Sequence, residues 1–92
     1  MAWAPEMEVL DQLLVGDMSL FVIGQVLHRG DPDKRCHSAS RMLQDGVVEL
    51  FDAEHNPVAA WQWRALLSDE SSWGRDTGYY FKLTNKGAKY IG

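Results

Sequence analysis

Lys34, His37, Ser38 and Arg41 recur at i, i+3, i+4 and i+7, the spacing that brings side chains onto one stripe of an α-helix. Such a stripe presents cations and hydrogen-bond donors together, while Cys36, Ala39, Met42 and Leu43 fall on the apolar side. A second basic set, Lys82, Lys86 and Lys89 with Arg75, lies near the C-terminus and is suited to flanking a phosphate backbone; lysines at this spacing also keep an edge strand soluble. Trp61, Trp63 and Trp73 offer a third chemistry, either a stacking platform or aromatic pocket, or else core and interface area. Glu54, Asp69 and Glu70 beside them fit a protein partner better than a nucleic acid.

Other chemistries find no support. His28, Cys36, His37 and His55 lack the paired spacing of a metal site, and no cofactor is expected. The cysteine, serines and histidines form no recognisable nucleophilic arrangement, so no catalytic residue is assigned and an enzyme is not expected. Neither a GxxxxGK[ST] nor a GxGxxG motif is present to cradle a nucleotide.

The 92 residues make one domain, whose ten aromatics supply the large buried areas that a small chain with a single cysteine requires. The longest apolar run, Leu20 to Ile23, is far below the roughly 20 residues of a membrane span, and the N-terminus, with Trp3 in it, has no leader-like pattern. A cytoplasmic protein is therefore expected. The net charge of −4 is unevenly spread: residues 29–41, with Arg29, carry +2 and residues 75–92 carry +3, whereas 1–28 carry −4 and 42–74 carry −5.

The elements that must position these residues are marked by their ends. Pro5 opens a first helix whose apolar residues are Met7, Leu10, Leu13 and Leu14, and Gly16 stops it. Ser19 caps a second over 20–28, with Leu20, Ile23 and Leu27 on one stripe; its β-branched content leaves a strand as the alternative. Asp31 as N-cap, Pro32 as first residue and Gly46 as left-handed terminator delimit the helix that bears the basic stripe. Residues 47–52 read as a strand. Asn56 and Pro57 predict a helix over 57–68, for which the alternating tryptophans keep a strand open. Residues 70–78 read as a loop whose Trp73 folds back on the domain. A last strand over 79–84 leads into a short helix capped by Thr84.

"SRMLQDGVVELFD" and "YFKLTNKGAKYI" resemble segments of the winged helix-turn-helix superfamily, in particular bacterial regulators of the MarR and PadR type. The first is similar to a recognition helix running into the first wing strand, the second to the returning wing strand ending in Leu-Thr. The resemblance covers 19–52 and 79–91. It implies an α+β winged-helix domain spanning 1–92: three N-terminal helices, a two- or three-stranded antiparallel sheet in which 79–84 pairs with 47–52, and a helical insert over 53–78. Gly87 would let the final turn pack closely under the sheet. The insert is longer than a wing loop, and no long dimerising helix follows the Leu-Thr segment.

The resemblance further implies transcription regulation through double-stranded DNA. Lys34, Arg35, His37, Ser38 and Arg41 would face the major groove, with Lys82, Lys86 and Lys89 on the backbone. Asp31, Asp33 and Asp45 would repel phosphate there. The alternative is a winged-helix scaffold for protein interaction or homodimerisation through Trp61, Trp63 and Trp73, without DNA. A regulator requires the 34–41 stripe and the C-terminal lysines on one continuous face; a scaffold requires exposed tryptophans.

Overall fold

In the computed structural model, residues 5–27 and 30–91 are described; Trp3, His28 and Arg29 lie outside them. The order is α1 (Pro5–Leu13), β1 (Met18–Ser19), α2 (Leu20–Val26), α3 (Pro32–Gln44), β2 (Val48–Phe51), α4 (Ala60–Ser68), a 3-10 turn (Glu70–Trp73), β3 (Tyr80–Leu83) and α5 (Asn85–Ile91). The described residues thus form five helices and a three-stranded antiparallel sheet of order β1-β3-β2. β3 lies between the others, pairing Met18 with Phe81 on one edge and Leu50 with Phe81 on the other. The two longer strands pair antiparallel as expected, and β1 is a strand that the sequence did not announce.

The helix ends obey capping chemistry. Ser19 accepts from the Val22 amide at 3.3 Å, and its extended backbone lets the strand β1 pass directly into α2. Asp31 accepts from the Lys34 amide at 3.1 Å, Pro32 begins α3, and Gly46 turns the chain at φ +75°. The Thr84 hydroxyl accepts from the Gly87 amide at 3.0 Å and donates to the Gly46 carbonyl, joining the start of α5 to the end of α3.

Phe81, Leu20, Ile23, Leu27 and Val9 are fully buried, so the sheet's inner face packs against α1 and α2. Leu14, expected on the stripe of α1, lies past its end and is 53% exposed, while Val9 takes the core position. At Gly87, an added Cβ would collide with the Val47 carbonyl oxygen and come within 2.7 Å of Leu83 Cδ1. This is the close approach under the sheet that only glycine permits.

The expected helix over 57–68 starts three residues later than its proline signal. Pro57 instead forms a β-bridge with Phe51, and the Val58 amide donates to the Leu50 carbonyl. Asp52 accepts from the amides of Glu54 and Asn56, closing a tight turn with His55 at φ +66°. The chain therefore doubles back along β2 before α4 begins at Ala60, whose N-cap Ala59 makes no side-chain capping bond. Asn56 serves the turn and not the helix.

Candidate nucleic-acid interface

α3 is held on three sides, and what remains exposed defines the candidate site. Ala39, Met42 and Leu43 enter the core. On one flank α3 meets α4 across a groove of about 410 Å³, lined by Cys36, Ser40, Trp63, Arg64, Leu67 and Ser68 among others. On the other, α1, α3 and α5 surround a second groove of about 480 Å³. Lys34, His37, Arg41 and Gln44 are left facing solvent, together with Asp33 and Asp45.

Two members of the expected DNA-facing set are structural. Ser38 is buried, and its hydroxyl donates to the Glu6 carboxylate at 2.7 Å. The stripe is wide enough that its edge residue meets α1, a contact helical spacing alone could not reveal. Arg35 is half-buried and lays its guanidinium over the Trp73 ring, with Cζ 4.6 Å from the centroid. Its Nε is buried without a hydrogen-bond partner. The aliphatic stem passes Gly24, where an added Cβ would stand 3.9 Å from Arg35 Cδ and 3.4 Å from Trp73 Cε3. Arg35 is thus a tie between α3 and the 3-10 turn.

The remaining cations divide by location. Arg41 and Lys86 line the same groove, together with Glu6, Asp45 and Tyr90, over an apolar floor that includes Met7 and Leu10. Lys89 is exposed on α5. Lys82 stands on the solvent face of the sheet, cross-strand from Glu49 and with Nζ 6.0 Å from the centre of the Phe51 ring. Arg75 lies over the Phe21 ring at 4.9 Å. Lys34 has its own acidic neighbour, Asp31, at 4.0 Å, an exposed pair of little energetic weight.

The tryptophans also part company. Trp73 is buried, and its indole donates to the Leu67 carbonyl at 2.9 Å, so it belongs to the core and not to a partner surface. Trp63 is half-buried and donates to the Val58 carbonyl at 3.0 Å. Trp61 is 81% exposed.

Several contacts carried no sequence signal. Phe51 and Tyr80 stack across the strands at 5.4 Å between centroids, and His55 Nδ1 lies 2.8 Å from the Tyr80 hydroxyl. Cys36 Sγ lies 3.5 Å from Ser68 Oγ across the seam between α3 and α4. Asp69 receives the Ser71 hydroxyl and amide, and these bonds, the hydroxyl's first, hold its carboxyl below the ordinary aspartate range.

Among the described residues, no group of three or more histidine, cysteine, aspartate or glutamate side chains is arranged to hold a metal ion. No helix among the described residues is long and apolar enough to cross a membrane. Comparison with family models, with curated proteins and with solved structures finds no match to this chain.

Proposed function

We propose that the chain is a small winged-helix module that binds double-stranded DNA as a transcription regulator, with α3 as its reading helix. Three features support the winged-helix assignment: the β1 strand between α1 and α2, the α2–α3 pair that follows, and the return of β3 between β1 and β2. The observation that carries the DNA reading is the exposed row of Lys34, His37 and Arg41 on α3, continued by Lys86 across the groove that Arg41 lines. Lys34 and Arg41 supply charge for phosphate or guanine, and His37 and Gln44 supply hydrogen bonds to base edges. Lys86 and Lys89 on α5 reach the adjoining backbone. Arg35 and Ser38 leave the contact set, because each is engaged within the fold, and Lys82 stands on the sheet, outside the α3–α5 groove that Arg41 and Lys86 line.

The salt dependence of duplex binding tests this reading. Four phosphate contacts, from Lys34, Arg41, Lys86 and Lys89, predict a slope of log K against log salt of about −3 to −4. A slope near zero, or no binding at low salt, contradicts it.

A second reading is favoured by one observation, the 81% exposure of Trp61 on α4. There the winged helix is a scaffold, and Trp61 anchors a protein partner or a second copy.

A further inference from the structure

An α-helix with its side chains is about 10–12 Å across, and the major groove of B-form DNA is about 12 Å wide. Two helices packed side by side, with axes about 8–10 Å apart, span roughly 20 Å and cannot enter that groove together. α4 packs along α3, and the groove between them is lined from α3 by His37 and Gln44, two of the exposed reading residues. The helix that would read DNA therefore has a neighbour against its reading flank.

α4 is seated on α3 by few fully buried groups. Leu67 is its one buried residue, Trp63 and Leu66 are half-buried against the core, Ala59 leaves its N-terminus without a side-chain cap, and a groove of about 410 Å³ opens between the two helices. The Trp63 indole bonds to Val58, on the approach to α4 itself, and not to α3. Across the seam, Cys36 Sγ and Ser68 Oγ at 3.5 Å form a weak thiol contact. At its far end, by contrast, the chain is fixed by Trp73, buried against Gly24 and under Arg35. One end is pinned by a buried tryptophan, and the helix before it is held by Leu67 and the half-buried Trp63 and Leu66, with no strong polar tie to α3.

From this geometry we infer that α4 is an autoinhibitory latch: it lies closed on the Cys36–Ser40 flank of α3 and moves aside when α3 enters DNA. The inference rests on the reading of α3 as a DNA reader. A latch costs binding free energy, since the competent state is only fractionally populated in free protein.

Ser68→Cys tests it with the chain's own chemistry. Cys36 is the single cysteine, so oxidation by diamide, which accepts the two electrons and two protons of the new thiol pair, joins α3 to α4 through one S–S bond. Intact mass and a non-reducing gel establish that the bond is intramolecular. The reduced variant should bind mixed-sequence duplex as the wild type does, and the oxidised one about tenfold or more weakly, with dithiothreitol restoring affinity. Trp63→Ala, which loosens α4, should bind more tightly than wild type. Duplex binding that is indifferent to the cross-link, or to Trp63→Ala, overturns the latch and leaves the DNA reading standing. Absence of binding at low salt by wild type and Trp63→Ala alike overturns both.

Discussion

The Ser38 hydroxyl donates to the Glu6 carboxylate across 2.7 Å, and this bond makes a residue of the polar stripe of α3 into a joint with α1. A buried hydroxyl bonded to a carboxylate contributes about 1.5–3 kcal/mol. Ser38→Ala should therefore lower stability by roughly that amount in urea or thermal unfolding while leaving duplex affinity unchanged. A loss of affinity without a loss of stability would return Ser38 to the contact surface.

Arg35 is expected to behave in the same direction for a different reason. Its guanidinium spreads over Trp73, and lysine cannot reproduce the flat stacking contact. Arg35→Lys keeps the charge, so any DNA role resting on charge alone survives it. The expected outcome is a stability loss of about 0.5–2 kcal/mol with little change in DNA binding. Trp73→Ala, which empties a buried site, should cost about 3–5 kcal/mol.

Gly87→Ala places a methyl group against the Val47 carbonyl and 2.7 Å from Leu83 Cδ1. The carbonyl is backbone and cannot swing away, so α5 must shift from the sheet. A destabilisation of about 1–3 kcal/mol or more is expected in thermal unfolding. Unchanged stability would mean that the α5 approach is not close.

Much of this scaffold is legible in sequence because it is written in local chemistry. Asp31-Pro32 and Gly46 bracket α3, Ser19 and Thr84 cap their helices, and alternation identifies both longer strands. These signals act over three or four residues and need no knowledge of the rest of the chain. Burial of Ser38 depends on where α1 docks, and the stacking of Arg35 depends on where the 3-10 turn brings Trp73. Helical spacing cannot report either. Pro57 misleads for a related reason: a proline can begin a helix or end a bridged extended segment, and its pairing with Phe51 decides the matter.

Asp69 supplies a pH-dependent prediction at the far end of α4. Its folded pKa lies below its unfolded value, so the Ser71 bonds contribute stability that is present above the unfolded pKa and is lost as pH falls through the folded one. Asp69→Asn should remove this acid-side dependence and leave neutral-pH duplex binding unaltered. Chemical-shift titration of the Ser71 amide reads it directly; a titration midpoint at or above the ordinary aspartate value would contradict the assignment.

Trp61 separates the two functional readings. With 81% of its surface exposed, Trp61→Ala should change stability by no more than about 0.5 kcal/mol. Under the DNA reading it also leaves sedimentation behaviour and duplex affinity unchanged. If the wild type sediments as a dimer and the variant as a monomer, α4 is an association surface.

On the proposed reading, Lys34 and Arg41 on α3 meet DNA. The most direct test is the affinity of wild type and of a Lys34→Glu, Arg41→Glu double variant for mixed-sequence duplex, at low salt and again near physiological salt. Both side chains are exposed, so the double variant should fold as the wild type does. Wild-type binding should weaken steeply with salt and be lost in the variant. Equal affinity of the two proteins, or no binding by either at low salt, would contradict the reading.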